Sequence, residues 1–115
     1  MTMKNNLKSV IITGGAGFIG SNLVKKLLEN GTEKILIIDD LSTGKLKNLE
    51  DFSNHKNIEI IKKRVEDIDN LNTLFEKFDF CFHLAAGVGV QYIMDNVSKA
   101  LLTNIEGTHI VIEAC

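Results

Sequence analysis

The chain has 115 residues, which indicates one domain able to bury roughly two-thirds of its unfolded surface. Its formal net charge of -2 gives no electrostatic reason to expect nucleic acid as a partner. No apolar run approaches the roughly 20 residues of a membrane span, and because the N-terminus is polar we expect no secretory signal. We therefore expect a cytoplasmic protein that binds neither nucleic acid nor membrane.

The N-terminal third of the chain predicts a strand, a helix and a second strand. Residues 8–13 contain three consecutive β-branched side chains bounded by polar ones, as in a short buried strand. Residues 17–30 carry apolar side chains on one stripe, which predicts a helix, and Asn30-Gly31 suits a left-handed helix end. The continuous apolar run at 35–38 is typical of a strand buried on both faces of a parallel sheet.

The remainder of the chain repeats this alternation. A short helix near 45–52 precedes a third predicted strand at 58–61. Apolar residues spaced i, i+3, i+4 and i+7 predict a helix over 71–78, and a fourth strand follows at 80–84. A long helix is expected from about residue 95 to the end, with apolar side chains on more than one stripe and therefore two neighbours.

Four strands alternating with helices predict an α/β fold with a parallel sheet and right-handed crossovers. The strand order is 3-2-1-4, with helices on both faces, if the first crossover and the link to the fourth strand run in opposite directions. The turn after the first strand then lies at the topological switch point, where such sheets bind ligands. The pattern stops after the fourth βα unit.

The segment Thr13–Gly20 joins the first strand to the first helix. Gly15, Gly17 and Gly20 form G-x-G-x-x-G, whereas Gly14, Gly17 and Gly20 form G-x-x-G-x-x-G. A bare glycine pattern also fits a tight structural turn. Between a strand and a helix, however, such a turn lets the backbone approach a pyrophosphate and directs the amides of a helix N-terminus at its charge. The context therefore favours dinucleotide binding in a Rossmann-type fold.

Asp39 ends the second predicted strand, 19 residues after Gly20. A carboxylate at this place accepts hydrogen bonds from the adenosine ribose hydroxyls and repels a 2′-phosphate. Residues 40–45 contain no arginine that could receive such a phosphate, and Lys45 is the nearest cation. We therefore predict NAD rather than NADP, although an acid can also simply end a strand.

Two further segments have both a structural and a functional interpretation. Asp67-Ile68 follows the third strand, where we expect it to start the next helix. The acid is either stabilised there by the helix dipole or lies beside an adenine ring. Leu84-Ala85-Ala86 ends the fourth strand with small residues that let a cofactor lie flat against the backbone, or it is a simple connection to the next helix.

The cysteines and histidines show no spacing of a metal site or a disulfide framework. Cys81 lies in an apolar strand pattern and Cys115 is the last residue, so we expect reduced thiols. The three histidines are His55, His83 and His109, and none is predicted to bind metal.

Taken together, the chain resembles the N-terminal part of an extended short-chain dehydrogenase/reductase, of the NAD-dependent nucleotide-sugar epimerase/dehydratase family. The matching segments occur in the family's order across nearly the whole chain. They are Thr13–Gly20, Asp39–Gly44, Asp67-Ile68, His83–Ala86 and Asn104–Thr108.

The resemblance implies NAD as the cofactor and assigns roles to matching positions. The pyrophosphate would be held by Gly14, Gly17, Phe18, Ile19 and Gly20. The adenosine ribose would be surrounded by Asp39, Asp40, Ser42, Thr43 and Gly44. Asp67 and Ile68 would contact the adenine, and the nicotinamide half would face Leu84, Ala85 and Ala86. The family's helix asparagine, which supports the site from behind, corresponds to Asn104.

Two departures from the family pattern stand out. The loop after the fourth strand has Val88 where UDP-galactose 4-epimerases often carry lysine. The sequence of this loop looks closer to the loops of bacterial nucleotide-sugar epimerases and decarboxylases. The family's acid/base pair, Tyr-x-x-x-Lys on a later helix, is missing, because the only tyrosine is Tyr92 and position 96 is asparagine. No catalytic residue is predicted.

Two hypotheses follow from this pattern. In the first, residues 1–115 are the dinucleotide-binding portion of an epimerase or dehydratase whose substrate domain is absent, so that this chain alone is inactive and a nucleotide sugar binds only to the complete enzyme. In the second, the chain is a free-standing dinucleotide-binding module without catalysis. We favour the first, and we expect self-association through the exposed edge of the fourth strand or the C-terminal helix, because an uncovered strand edge invites pairing.

Overall fold

The structure, a computed structural model, describes residues 8–42, 44–51, 54–85 and 108–115. At its centre lies a parallel sheet in the order β3-β2-β1-β4, which confirms the predicted 3-2-1-4 arrangement. The strands are β1 (Ser9–Thr13), β2 (Lys34–Ile38), β3 (Ile58–Ile61) and β4 (Phe80–His83). Successive connections run outward from β1 to β3 and then back past β1 to β4, so the topological switch point lies at the carboxyl end of β1.

Alternate side chains of the strands build a hydrophobic core on each face of the sheet, as predicted for a doubly wound fold. One face of β1 and β2 packs with the first helix, and this cluster contains Val10, Ile12, Ile35, Ile37, Val24 and Leu27. The opposite face packs with two other helices, and this cluster contains Ile11, Leu36, Ile38, Leu71, Phe75 and Val111. Burial on both faces explains why β1 and β2 are continuously apolar.

Helix α1 (Phe18–Glu29) follows the glycine turn directly, one residue shorter at each end than predicted. At its end, the Gly31 N–H donates to the Leu28 carbonyl and the Thr32 N–H to the Leu27 carbonyl, while Gly31 has a φ of 86°. This pair of hydrogen bonds is the Schellman motif, which requires a left-handed residue after the helix. It confirms the predicted end of the helix.

The connections after β2 and β3 are tighter than predicted. The expected helix near 45–52 is the 3₁₀ turn Leu46–Leu49. A second 3₁₀ turn, Val65–Asp67, follows β3, and helix α2 (Leu71–Glu76) begins only after Asn70. The prediction that Asp67 starts the next helix is therefore wrong. Asn70 adopts a φ of 57°, and this left-handed residue separates the turn from the helix.

Residues 108–114 are helical and are called α3. Val111 of α3 is buried against the same face of the sheet as Ile11. The predicted start of this helix near residue 95 and the loop 85–90, beyond its first residue, lie outside the described residues. Within the parts of the chain that the structure describes, no helix combines the length and the apolarity that crossing a bilayer would need.

Candidate functional site

A cavity of about 340 Å³ opens at the carboxyl edge of the sheet, beside the switch point. Its wall comes from the turn after β1, the first turn of α1 and the segments that follow β2, β3 and β4. The lining residues are Gly14, Gly17, Phe18, Ile19, Gly20, Ile38, Asp39, Asp40, Ser42, Gly44, Lys63, Arg64, Val65, Glu66, His83, Leu84 and Ala85. In open α/β sheets this is the edge at which ligands bind.

The glycine turn lies against the ends of two strands. The Gly14 N–H donates to the Ile38 carbonyl at 2.8 Å, and Gly14 has a φ of 74° that an L side chain rarely adopts. A Cβ atom on Gly14 would lie 2.7 Å from the Ala85 backbone nitrogen. The turn therefore needs glycine here both for its backbone angle and for the contact with the end of β4.

The first turn of α1 presents backbone N–H groups to the cavity. Gly17 is the N-cap residue and has no side chain to bond these groups, and the first turn carries no acidic residue. Gly20 packs so closely on the glycine turn that a Cβ there would overlap the Gly14 carbonyl oxygen. An uncapped helix N-terminus held against a glycine turn is suited to an anion such as a phosphate group.

Asp39 is buried beside this helix N-terminus, with 7% of its surface exposed. One carboxylate oxygen accepts the Ala16 N–H at 3.0 Å, and the other accepts the Leu41 N–H at 2.7 Å. The first bond ties the glycine turn to the end of β2, and the second bends the chain at Leu41, whose φ is 63°. A carboxylate has about four acceptor positions, so two remain for hydroxyl groups of a ligand.

The segment after Asp39 is fastened to the glycine turn at the Ala16 carbonyl. This oxygen accepts the Lys45 N–H at 3.1 Å and the Asn48 side-chain amide at 2.8 Å. Gly44 passes so close to Ala16 that a Cβ on it would lie 2.9 Å from the Asp39 carboxylate. The loop therefore closes one side of the cavity at a fixed distance from the buried acid.

The segment after β3 forms the opposite wall of the cavity. It also contributes charged side chains that the sequence analysis did not place at the site. Lys63, Arg64, Val65 and Glu66 line the cavity there. The Arg64 guanidinium forms an ion pair with Glu66 and lies 3.8 Å from a carboxylate oxygen of Asp67. Arg64, one of the two cations on this wall, is thus paired with acids on its own segment.

Thr13 connects β1, the end of β4 and α3 through its hydroxyl group. This oxygen accepts the N–H groups of Leu84 at 3.1 Å and Ala85 at 3.2 Å, so its own proton is donated to His83 Nδ1, 2.6 Å away. His83 then carries its proton on Nε2, which donates to the Thr108 hydroxyl at 3.2 Å. The network fixes the cavity wall formed by Leu84 and Ala85.

Replacing Thr13 with valine removes this hydroxyl without changing the volume of the side chain. The Ala85 N–H and His83 Nδ1 lose their partner, and we expect the free energy of unfolding to fall by about 2 kcal/mol or more. Urea denaturation measures the loss. Thr13→Ser keeps the hydroxyl and is the matched control, with an expected loss of about 1 kcal/mol for the missing methyl group. Equal stability of the valine variant and the wild type would contradict the role of the hydroxyl.

His83 makes the stability of the fold sensitive to mild acid. Burial lowers the pKa of His83 from its ordinary value of 6.5, and the groups bonded to its ring, Thr13 and Thr108, are neutral. Below about pH 6.5 the unfolded chain therefore binds a proton more readily than the folded chain, so stability falls as the pH drops. We expect His83→Asn to lose less stability than the wild type between pH 7 and pH 5.5. If urea denaturation showed that both proteins lose the same free energy of unfolding between these pH values, the role of His83 would be contradicted.

The structure brings eleven of the sixteen predicted site residues to the one cavity. They are Gly14, Gly17, Phe18, Ile19, Gly20, Asp39, Asp40, Ser42, Gly44, Leu84 and Ala85. Thr43, Ala86 and Asn104 lie outside the described residues. Asp67 and Ile68 do not line the cavity; Asp67 is exposed, and Ile68 packs against the core beneath α2.

Comparison with known proteins identifies the family. A family model described as GDP-mannose 4,6 dehydratase matches residues 11–115. The chain belongs to this family. One curated relative, a UDP-N-acetyl-alpha-D-glucosaminuronate decarboxylase from Bacillus cytotoxicus, is 37% identical over 107 residues, covering 93% of this chain and 32% of the relative. This agrees with the predicted resemblance to NAD-dependent nucleotide-sugar epimerases and dehydratases.

Two solved structures show the same fold. A UDP-N-acetylglucosamine 4-epimerase from Methanobrevibacter ruminantium superimposes with a TM-score of 0.83 and 39% identity, over 98% of this chain and 34% of that one. A dTDP-glucose 4,6-dehydratase from Streptomyces venezuelae, solved with NAD bound, gives a TM-score of 0.84 and 26% identity, over 92% and 35%. The chain thus spans about a third of the length of these three proteins.

Sequence reasoning missed Ile38, His83 and the wall after β3 as cavity residues. The available signal was the strand-end rule, which places residues directly after each parallel strand at one edge of the sheet. We applied this rule after β3 only at Asp67-Ile68, whereas residues 63–66, closer to the end of β3 at Ile61, form the cavity wall.

Proposed function

We propose that the cavity binds NAD and that residues 1–115 form the NAD-binding portion of a nucleotide-sugar epimerase or dehydratase. One observation carries this proposal. The uncapped N-terminus of α1 and the buried carboxylate of Asp39 open into the same cavity and are joined by the hydrogen bond from the Ala16 N–H. A phosphate-binding helix end beside a hydroxyl-binding acid matches the pyrophosphate and the ribose of a dinucleotide.

The residues of the cavity suggest how the dinucleotide is held. Gly14, Gly17 and the first turn of α1 would hold the pyrophosphate, and Phe18 and Ile19, which are 81% and 70% exposed, would offer it apolar surface. The two remaining acceptor positions of Asp39 would bind the ribose hydroxyls. Leu84 and Ala85 at the end of β4 would hold the nicotinamide half.

The remaining assigned residues complete this arrangement. Asp40, Ser42 and Gly44 line the cavity beside the ribose, and Thr43 belongs to the same segment. By resemblance to the family pattern, we propose that Asp67 and Ile68 contact the adenine and that Ala86 and Asn104 belong to the nicotinamide end. Residues 64–66 form the cavity wall next to Asp67.

The charges around the cavity favour NAD over NADP. The buried Asp39 carboxylate would repel a 2′-phosphate on the ribose that it binds. Arg64 is the guanidinium that could compensate, and it is already paired with Glu66. An arginine held by its own neighbouring carboxylates is less available to a ligand phosphate, because binding would break that pair.

In an epimerase or dehydratase, NAD supplies a hydride acceptor for the sugar. The residues of this chain bind and orient the dinucleotide, and the Thr13 network fixes the wall on which its nicotinamide half rests. Proton transfer needs an acid/base, and the sole tyrosine, Tyr92, lacks a lysine four residues later. We therefore propose that these 115 residues alone do not turn over a UDP- or dTDP-sugar.

Calorimetric titration of the 115-residue chain with NAD and, separately, with NADP tests the proposal. We expect NAD to bind with a micromolar Kd and NADP to bind at least about tenfold more weakly, a difference of about 1.4 kcal/mol. Binding of neither nucleotide would overturn the NAD-binding assignment. Equal affinities would overturn the role of Asp39, and epimerisation of a UDP-sugar by this chain alone would overturn its proposed inactivity.

We also propose that the 115-residue chain self-associates. In the described part of the sheet, β4 is an edge strand, and Phe80 at its start is 49% exposed. Ile112 on α3 is 67% exposed and is a second large apolar side chain open to a partner. An unpaired strand edge binds a second edge through its backbone groups. Light scattering should show oligomers that Phe80→Lys weakens, whereas a monodisperse monomer would refute the proposal.

A further inference from the structure

The two cysteines of the chain, 34 positions apart in the sequence, line the same cavity in the fold. Cys81 is in β4 and is partly buried, whereas Cys115 directly follows α3 and is exposed. Val111 anchors α3 on the sheet, and the Cys115 N–H donates to the Val111 carbonyl at 3.0 Å, which continues the helical turn. Cys115 is therefore held by the helix rather than placed by a free tail.

Two observations place the two cysteines around one cavity. Both cysteines line the same cavity of about 240 Å³, away from the proposed NAD site. Cys81 and Ala114 border the same hydrophobic cluster. Neither cysteine is in a disulfide in this structure. Nothing in the proposed binding of NAD uses this pair.

We propose that Cys81 and Cys115 form a reversible intramolecular disulfide when the chain meets a low-molecular-weight disulfide such as oxidised glutathione. The exposed Cys115 thiolate attacks the small disulfide, forms a mixed disulfide and releases one glutathione thiolate. The Cys81 thiolate then attacks the Cys115 sulfur and releases the second. The protein loses two thiol protons and two electrons, and the small disulfide becomes two thiols.

The surroundings of Cys81 assign the order of the two steps. Burial raises the pKa of Cys81 to about 12, and the neighbouring Cys115 adds to this shift. Glu76 of α2 and Asp79 before β4 are the carboxylates that line the same cavity. Cys81 is thus the resolving thiol, protected until Cys115 is modified, and closure of the ring becomes faster as the pH rises.

The closed disulfide would join β4 to α3 and enclose the chain between residues 81 and 115. Such a ring removes conformations from the unfolded chain, so we expect the oxidised protein to melt roughly 10 °C higher than the reduced protein. Because the pair lies away from the glycine turn, the NAD affinity should change less than about twofold on oxidation.

The test incubates the 115-residue chain with excess oxidised glutathione and then measures its intact mass and free thiols. We expect the folded chain to lose two hydrogen atoms and both thiols without keeping glutathione. Cys81→Ser should instead retain one glutathione on Cys115, because the resolving thiol is gone. Cys81→Ala is the second variant if serine is tolerated poorly at this partly buried position.

Three outcomes would overturn the proposal. They are a stable glutathione adduct on the wild-type chain, covalent dimers in place of the internal disulfide, and two unreacted thiols in excess oxidised glutathione. Measuring the same thiol–disulfide equilibrium in urea shows whether the folded structure brings the cysteines together or whether the unfolded chain closes the ring equally well. The closed form should be favoured about tenfold or more in native buffer over urea, and equal preference in both would also contradict the proposal.

Discussion

Gly14→Ala is expected to lower the free energy of unfolding by about 3 kcal/mol or more and to abolish detectable binding of NAD. Two costs add at this position. Gly14 has a φ of 74°, which costs an L residue about 1–2 kcal/mol. The new Cβ would also lie 2.7 Å from the Ala85 nitrogen and 2.8 Å from the Leu84 carbonyl carbon, so the glycine turn and the end of β4 must separate.

Gly31→Ala is the matched control for this substitution. Gly31 has a φ of 86°, but no atom lies within 4 Å of a Cβ built on it. It therefore bears the cost of the backbone angle alone, and we expect a loss of about 1 kcal/mol with unchanged NAD affinity. Urea denaturation followed by circular dichroism compares the two variants. Similar losses for both would show that the contact between the glycine turn and β4 contributes nothing.

Asp39→Asn has the second largest expected effect. The carboxylate accepts one N–H from Ala16 and one from Leu41, whereas an amide can accept on its oxygen only and presents an NH₂ group to the other donor. We expect a loss of about 2–3 kcal/mol in stability, because a buried N–H would remain unpaired. The NAD affinity should fall about 10- to 100-fold, since a charge-assisted bond to the ribose is lost.

Asp79→Asn removes the same charge from an exposed side chain and serves as the control. Its stability should stay within about 0.5 kcal/mol of the wild type, with an unchanged NAD affinity. Calorimetric titration of both variants with NAD and NADP gives a second readout, because loss of the Asp39 charge should narrow the preference for NAD. A wild-type NAD affinity in Asp39→Asn would show that this acid only ends a strand.

The fold was predictable from the sequence because its local signals agree with one another. The apolar runs in β1 and β2 are continuous since both faces are covered, and the glycines at 14, 17, 20 and 31 mark the turn and the helix stop. The boundaries of short elements were less predictable. The Val65–Asp67 turn and the delayed start of α2 depend on Asn70 in a left-handed conformation, which a helical stripe does not reveal.

The candidate site was predictable where it depends on contiguous motifs and was missed where it depends on distant contacts. The glycine turn and Asp39 are recognisable by their spacing, and both line the cavity. The network through Thr13 joins His83 and Ala85, about 70 positions away, and pairing between β1 and β4 brings them together. Likewise, Cys81 and Cys115 show no close spacing in the sequence but line one cavity between β4 and the end of α3.

The central claim is that the cavity at the carboxyl edge of the sheet is an NAD site. Its most direct test is an NMR titration of the ¹⁵N-labelled 115-residue chain with NAD, recorded residue by residue. The proposal predicts that the largest amide shifts occur at Gly17, Phe18, Ile19 and Asp39. Phe75 of α2, which is buried in the core and does not line the cavity, should change little. Shifts centred on α2 and α3, or none at saturating NAD, would contradict it.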